Sequence, residues 1–300
     1  MGSGTPRVVV VTRPSDYEEL LVRHGTREQA RFFLTQRGQE LEEVESRHQQ
    51  LSSVLTRVSQ AVPMRWRRTR VPRAELSRFV WEPDDIVVPV GQDGLVANVA
   101  KSLDGQRVIG VNPDPARVAG VLMRHSIEAF ERVLHRTVEG HATIETRTMV
   151  AAEFDDGQRL LALNELFVGQ RTHQSARYRI AIAQQAERHS SSGLIVTTGT
   201  GASGWARSIA RERATPLPLP TPTDRALAFF VREAWPSPAT GTSITEGTLA
   251  HDAQLSVISE MNEGGVVFGD GLEDDRLTFG WGLRARIGVA RETLRLVVAA

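Results

Sequence analysis

The sequence predicts an α/β domain followed by a domain of antiparallel β structure. In the first part of the chain, short β-branched runs alternate with amphipathic helical segments, as in a parallel sheet covered by helices. After a further amphipathic helix over 126–140, the pattern changes to period-two alternation, with a hairpin signal at Asp155-Asp156-Gly157. We therefore expect two domains, 1–125 and 126–300, with the last residues of the chain able to pack back on the first domain.

Composition narrows the classes of function. The 300 residues carry 36 basic and 36 acidic side chains and no net charge, which argues against a nucleic-acid binder that relies on bulk attraction to phosphate. The lack of cysteine excludes disulfides, zinc–thiolate sites and thiol nucleophiles. The chain has no signal-peptide core and no apolar run near the roughly 18 residues that span a membrane. We expect a cytoplasmic protein without nucleic-acid or membrane partners.

The basic residues are arginines, with Lys101 the only lysine. A Walker A loop needs Gly-Lys-Ser/Thr, and a protein kinase needs a lysine on its third strand. Neither site can be built from this sequence, so a nucleotide-binding role requires another architecture.

The first elements follow from the apolar pattern. The run 7–12 predicts the first buried strand of a parallel sheet. Apolar residues at steps of three and four from Leu41 to Val62 predict a helix; packing on its own sheet is favoured over a coiled-coil partner surface, and an oligomer contact remains an alternative. Residues 64–70 resemble a short basic edge strand.

The segment from Asp84 to Lys101 combines a buried strand, the turn Gly91-Gln92-Asp93-Gly94 and a helix. A tight glycine turn before a helix is how α/β proteins bring backbone N–H groups to a phosphate. Asp93 is therefore the candidate for the chemistry. The alternative is a β-turn in which Asp93 only caps the following helix.

Two later segments also place a loop directly after a predicted strand. The strand 107–111 leads into Asn112-Pro113-Asp114-Pro115, a rigid loop that leaves the carboxyl end of its strand. Leu194 to Thr197 predicts a strand that ends in the Gly/Thr-rich loop 198–204 before a helix. Further strands are predicted at 143–150, 159–168, 177–183, 254–259, 265–268, 276–279, 283–289 and 293–298.

Five segments in this order resemble the NAD kinase family, and more closely its mitochondrial-type branch. Gly91-Gln92-Asp93-Gly94 is similar to the family's Gly-Gly-Asp-Gly-Thr motif. The others are the segment 108–117 around Asn112, the pair Asn164-Glu165, the block from Ser191 through Thr198-Gly199-Thr200-Gly201 to Trp205, and Gly269-Asp270-Gly271.

The resemblance implies a Rossmann-like α/β domain, a C-terminal antiparallel β domain, an active site in the cleft between them and a homo-oligomer, dimer or tetramer. It implies transfer of the ATP γ-phosphoryl group, with Mg²⁺, to the 2′-hydroxyl of the adenosine ribose of NAD. Asp93 would be the catalytic residue that orients or deprotonates this hydroxyl. Nucleotide contacts are implied for Gly91, Gln92, Gly94, Asn112, Asn164, Glu165, Ser192, Thr198, Thr200, Gly201, Trp205 and Asp270.

Two positions depart from the family motif. Gln92 stands where the family has glycine, and a positive φ there would strain the turn by about 1–2 kcal/mol. Leu95 stands where the family has threonine, so a hydroxyl near the phosphates is lost. Two alternatives therefore stay open: a kinase of the same fold acting on another nucleoside or sugar hydroxyl, and a catalytically silent protein that binds or senses NAD.

Overall fold

The computed structural model describes residues 5–213 and 217–299, and the chain forms two compact units. The first unit comprises the chain up to Glu145 and again from Arg295, and the second runs from Thr146 to Leu294. The division thus falls later than the expected boundary at Ser126, because the helix that follows Ser126 packs in the first unit. Within the described ranges, no helix is both long enough and apolar enough to cross a membrane.

The first unit contains helices on a parallel sheet. Its elements are β1 (Arg7–Thr12), α1 (Asp16–His24), α2 (Arg27–Thr35), α3 (Leu41–Ala61), β2 (Arg67–Pro72), β3 (Ile86–Pro89), α4 (Asp93–Ala100), β4 (Arg107–Val108) and α5 (Ile127–Val138). The strand order is β2-β1-β3-β4, and Arg295-Leu296 of the last strand pairs in parallel with β4. This parallel sheet with helices confirms the α/β prediction.

The strands β1 and β3 lie in the buried core of the first unit. The valines of β1 and the residues of β3 are buried, as expected for parallel strands covered on both faces. On α3, Val54 and Val58 pack with Phe130 of α5 in the same cluster. The seam from Leu41 therefore packs on its own unit, and α3 ends at Ala61, one residue before the end of the predicted seam at Val62.

The basic segment lies at the edge of the sheet, as predicted, but the strand is Arg67–Pro72 rather than 64–70. Two helices between β1 and α3 were not predicted. A capping box begins α1, since Ser15 Oγ accepts from Glu18 N–H while the Glu18 carboxylate accepts from Ser15 N–H. The pair Ser15 and Glu18 was therefore an available signal.

The second unit is built from antiparallel strands, which confirms the predicted β character. Its elements are β5 (Thr143–Phe154, beginning in the first unit), β6 (Arg159–Ala162), β7 (Glu165–Gln170), β8 (Ala176–Ile182), β9 (Gln185–Ser191), β10 (Leu194–Thr197), α6 (Trp205–Glu212), β11 (Ala226–Val231), β12 (Glu246–Ala250), β13 (Gln254–Ser259), β14 (Gly265–Gly269), β15 (Leu277–Thr278) and β16 (Arg284–Ala299).

One six-stranded sheet carries the segments of interest. Its order is β12-β11-β10-β7-β14-β15, with every pair antiparallel. The predicted strand 159–168 is interrupted at Leu163-Asn164, which separates β6 from β7. Because β7 pairs with both β10 and β14, the turn before β7 lies beside the ends of those two strands.

The remaining differences concern strand number. We did not predict β9, β11 and β12, and the two strands predicted at 283–289 and 293–298 are one strand, β16. Its first residues, from Arg284 to Gly288, pair with β13, and Arg295-Leu296 pairs with β4. One strand thus contributes to both units.

Candidate functional site

The Gly91-Gln92-Asp93-Gly94 turn joins β3 to α4, and only its first residue needs glycine. Gly91 has φ of +151°, a conformation that residues with a Cβ rarely adopt. Gln92 is the N-cap residue of α4 with φ −106° and ψ 160°, which is ordinary extended backbone. The condition for strain at Gln92 is therefore not met, because the positive φ falls one residue earlier, at Gly91.

The carboxylate of Asp93 holds a loop of the same unit. Its Oδ1 accepts from the N–H groups of Leu122 (3.0 Å) and Met123 (2.9 Å), and its Oδ2 accepts from the N–H of Val121 (2.9 Å). A carboxylate offers about four acceptor positions. Three are used here, so one position on Oδ2 is left for a further donor.

The loop held by Asp93 packs closely on Gly110, just after β4, and on itself at Gly120. A Cβ at Gly110 would stand 2.3 Å from the carbonyl oxygen of Leu122, and one at Gly120 would stand 2.3 Å from that of Met123. Both glycines are therefore required for this approach. The loop partners of Asp93 gave no signal in the sequence, since they act through backbone N–H groups.

Asn112 organises the loop after β4. Its Nδ2 donates to the carbonyl of Val118 (2.7 Å), and its Oδ1 accepts from the N–H of Asp114 (2.9 Å). The residue is 5% exposed. Gly91, Gln92 and Asn112 nevertheless line one cavity of the first unit, so the structure brings together three of the residues chosen from the sequence.

A buried histidine supports the same loop. His125 N–H donates to the carbonyl of Gly110, and its carbonyl accepts from Asn112 N–H (2.8 Å). Its Nε2 lies 2.9 Å from the carbonyl oxygen of Val297. Burial lowers the pKa of His125, the hydrogen bond to Val297 opposes this, and the charge of Arg124 lowers it further. The neutral imidazole is therefore the form that the fold favours.

In the second unit, Asp270 organises the turn that contains Asn164 and Glu165. The carboxylate of Asp270 accepts from Leu163 N–H (3.1 Å) and Asn164 N–H (2.6 Å), and its own N–H donates to the carbonyl of Glu165 (3.0 Å). Asp270 has φ of +58°, which Asp tolerates better than most residues. Asp270 is thus hydrogen-bonded to the backbone of Asn164 and Glu165, which lie about a hundred residues earlier in the chain.

The Gly/Thr-rich loop packs against the same turn. Thr198 Oγ1 donates to the carbonyl of Leu163 (2.6 Å), and Thr198 N–H donates to the carbonyl of Asn164 (2.8 Å). Thr198 Oγ1 also accepts from the N–H groups of Thr200 (3.1 Å) and Gly201 (3.3 Å). The structure therefore brings these residues together with Asp270 in one cluster.

Two features of this loop bear on ligand binding. A Cβ at Gly201 would stand 2.4 Å from the carbonyl oxygen of Asn164, so only glycine fits there. The hydroxyl oxygen of Thr200 is buried and has no hydrogen-bond partner among the described residues. A buried hydroxyl without a partner is costly, and a bound ligand is one way to satisfy it.

Trp205, at the start of α6, is 38% exposed. Its ring stacks on Phe167 of β7 at a centroid distance of 5.8 Å, and the guanidinium of Arg232 lies 4.9 Å from its centroid. The carbonyl of Arg232 accepts from Ser192 N–H (2.9 Å). The sequence did not predict a role for Phe167 or Arg232, because neither lies in a recognised motif.

Magnesium fits only as an ion carried by a nucleotide. In the part of the chain that the structure describes, no three His, Asp or Glu side chains are arranged to hold a metal. Mg²⁺ in nucleotide enzymes typically keeps waters and binds one or two carboxylates together with substrate phosphates. The carboxylates of Asp16 and Asp114, which line the cavity beside Gly91, are the groups available for it.

Comparison with known proteins gives a match at the level of structure. No family model matches the sequence, and no curated protein matches it. The crystal structure of yeast NADH kinase complexed with NADH matches with a TM-score of 0.64 and 13% identity, over 99% of this chain and 85% of that one. An NAD kinase from Archaeoglobus fulgidus in complex with ATP matches with a TM-score of 0.61 and 20% identity, over 97% and 93%. The chain therefore has the fold of these NAD(H) kinases.

Proposed function

We propose that the chain is an NAD kinase-like phosphotransferase, which moves the γ-phosphoryl group of ATP to the 2′-hydroxyl of the adenosine ribose of NAD(H) and gives NADP(H). The observation that carries the proposal is the cluster around Asp270, in which Asn164, Thr198, Thr200 and Gly201 meet on a fold shared with kinases crystallised with NADH and ATP. We further propose that this enzyme is cytoplasmic and acts as a dimer or tetramer.

The second unit supplies the dinucleotide contacts in this proposal. Asn164 and Glu165 hold the base and the ribose, and the loop around Thr200 lines the dinucleotide. The unpartnered Thr200 hydroxyl supports this role, because a ligand oxygen would satisfy it. Trp205 and Ser192 complete the surface, and Asp270 acts as a positioning residue through the backbone of the Asn164 turn.

The first unit supplies the reacting carboxylate. Asp93 has one free acceptor position on Oδ2, which suits a hydrogen bond from the 2′-hydroxyl. The hydroxyl oxygen attacks the γ-phosphorus, the bond to the β,γ-bridging oxygen breaks, ADP leaves, and the hydroxyl proton passes to Asp93 or to water. Because phosphoryl transfer has a loose transition state, orientation and charge neutralisation matter more than a strong base.

The backbone around Asp93 completes this role. Gly91 and Gly94 let the main chain approach the phosphates, Gln92 contributes to the same nucleotide contact, and Asn112 positions the neighbouring loop. When bound, Mg²⁺ would neutralise phosphate charge near Asp16 or Asp114. Leu95 is buried at 2% exposure and contributes no hydroxyl, so this site depends on backbone donors.

One observation favours a second candidate function, a dinucleotide-binding protein without turnover. The Asp93 carboxylate already accepts three backbone hydrogen bonds, which is also what a purely structural aspartate would do. The two functions differ in product formation and share dinucleotide binding.

The test is to incubate the chain with ATP and Mg²⁺ against NAD, NADH and a panel of nucleosides and sugars, and to measure ADP and phosphorylated product. NADP or NADPH formation that is lost in Asp93→Ala supports the proposal. Phosphorylation of another acceptor assigns the chain to a different kinase activity. NAD binding with no product under any condition supports the silent protein.

A further inference from the structure

A groove of the first unit lies between α3 and the edge strand β2. Its volume is about 730 Å³, which is within the usual range for small-molecule sites. None of Gly91, Gln92, Asp93 and Asn112 lines this groove, so it lies outside the set of residues assigned above to the nucleotides. The side chains that line the groove determine what it can bind.

Two arginines of β2 form the strand side of the groove. In the parallel pair with β1, Arg68 lies beside Val8 and Arg70 lies beside Val10. Both valines pack in one cluster with α3, so the two arginines also lie on the α3 side of the sheet. Because they are two residues apart on one face of the strand, their guanidinium groups can meet on a single anion.

Each of these arginines is held in place by one hydrogen bond. Arg68 Nη1 donates to the carbonyl of Ser59 (2.7 Å), near the end of α3. Arg70 Nε donates to Thr12 Oγ1 (3.2 Å). Across 5–213 and 217–299, no carboxylate is paired with either guanidinium. Two nitrogens of each arginine therefore remain for a ligand, and no ion pair neutralises their charge.

The helix side of the groove is lined by hydroxyl groups. Ser52, Thr56 and Ser59 follow one another at steps of four and three, the spacing that places side chains on one face of a helix. Thr56 Oγ1 donates to the carbonyl of Ser52 (3.0 Å), so it offers a ligand only acceptor positions. The hydroxyls of Ser52 and Ser59 make no hydrogen bond with any residue that the structure describes, so each can donate and accept. This wall suits the hydroxyl groups of a ligand.

One carboxylate, that of Glu18, also lines the groove. Its Oε2 accepts from Ser15 N–H (2.7 Å), and this hydrogen bond is the main reason why the pKa of Glu18 lies below its usual range. Its Oε1 makes no hydrogen bond within the described ranges. An ionised carboxylate accepts from hydroxyl groups and repels anions. Glu18 therefore disfavours a ligand that is anionic throughout and favours one that joins a single anionic group to hydroxyls.

We infer that this groove binds a small phosphorylated polyol, such as a sugar phosphate, with Arg68 and Arg70 on the phosphate and with Glu18 and the hydroxyls of α3 on the polyol. Two guanidinium charges match the nearly two negative charges that a phosphomonoester carries at pH 7, whereas a sugar acid carries one. The inference does not rest on the proposed function, since the groove uses other residues.

Titration calorimetry with ribose 5-phosphate tests the inference. Arg70→Gln is the main variant, and Arg65→Gln is the matched control, because Arg65 is exposed, precedes β2 and does not line the groove. Loss of one charge-assisted hydrogen bond predicts roughly 10- to 100-fold weaker binding in Arg70→Gln and no change in Arg65→Gln. Wild-type affinity in Arg70→Gln, or an equal loss in Arg65→Gln, overturns the inference. So does a wild-type chain that binds none of ribose 5-phosphate, glucose 6-phosphate and glycerol 3-phosphate.

A second pair of variants tests the hydroxyl wall. Ser52→Ala should weaken ribose 5-phosphate binding by roughly 3- to 10-fold, the effect of one neutral hydrogen bond, and leave inorganic phosphate binding unchanged. Ser53→Ala, at an exposed neighbour that does not line the groove, should change neither. Alanine is a better helix former than serine, so neither variant should lower the unfolding midpoint. Identical binding in Ser52→Ala and Ser53→Ala would overturn the role of this wall.

Two simpler ligands separate the parts of the inference. Inorganic phosphate and gluconate should each bind more weakly than ribose 5-phosphate. Equal affinity for inorganic phosphate would mean that the groove holds only an anion and would overturn the polyol assignment. Equal affinity for gluconate would overturn the assignment of a phosphate to Arg68 and Arg70.

Discussion

Replacing Asp93 by Asn separates the structural role of this carboxylate from its catalytic one. An Asn side chain can keep its Oδ1 on the N–H groups of Leu122 and Met123, but its NH₂ group then faces the N–H of Val121, and two donors cannot bond. Hydrogen bonds to charged groups contribute about 1.5–3 kcal/mol each. The Val121 bond is exposed, so we expect a loss near the lower value, about 1.5 kcal/mol of unfolding free energy.

The same substitution removes the acceptor for the 2′-hydroxyl. We expect turnover to fall by roughly 10²- to 10⁴-fold, the usual range for a lost acid–base group, while NAD binding is kept. Denaturant unfolding and steady-state kinetics measure the two effects separately. The matched control is Asp104→Asn, since Asp104 is exposed and its side chain has no described contact. The unfolding free energy of this variant should stay within about 0.5 kcal/mol of the wild-type value. Wild-type stability in Asp93→Asn would refute the structural role, and wild-type turnover would refute the catalytic one.

Three other changes test the structure around the two clusters. In Gly199→Ala, the new Cβ would stand 1.9 Å from the carbonyl oxygen of Thr221, so we expect a loss of about 1–3 kcal/mol in denaturant unfolding and weaker NAD binding in calorimetry; a wild-type unfolding curve would contradict this close packing. Because the folded state lowers the pKa of His125, the unfolded state binds its proton more readily, and stability should fall as pH drops below about 6.5. This slope should flatten in His125→Gln, and an identical pH profile would exclude His125 as its source. Gln92→Gly should give no gain in thermal stability, since φ at Gln92 is −106°; a clear gain would mean that the turn is strained after all.

The sequence predicted those elements that are determined by their own residue pattern. The β-branched run of β1 and the seam of α3 gave the correct elements, and the glycine turn before α4 was placed within a residue. The polar strand β9 was missed, because Gln185–Ser191 lacks both apolar alternation and β-branched residues. At Gln92, the sequence could show a missing glycine but not which residue of the turn has positive φ.

The sequence could predict which residues belong to the site, but not the contacts between them. Motif order selected Asn164, Thr198 and Asp270, and the structure joins all three through hydrogen bonds to one turn. The partners of Asp93 lie in a loop about 28 residues later and act through backbone N–H groups, which leave no trace in side-chain identity. The hydrogen bond from Arg13 to Gln92 could not be predicted either, because it depends on how β1 and β3 pair.

The most direct test of the proposed activity is the ³¹P NMR spectrum of the product formed from NAD, ATP and Mg²⁺ by the wild-type chain. We predict a new 2′-phosphomonoester resonance that matches authentic NADP and appears together with ADP. A phosphomonoester at another position of NAD, or ADP formation with unmodified NAD, would contradict the assignment of the 2′-hydroxyl as the acceptor.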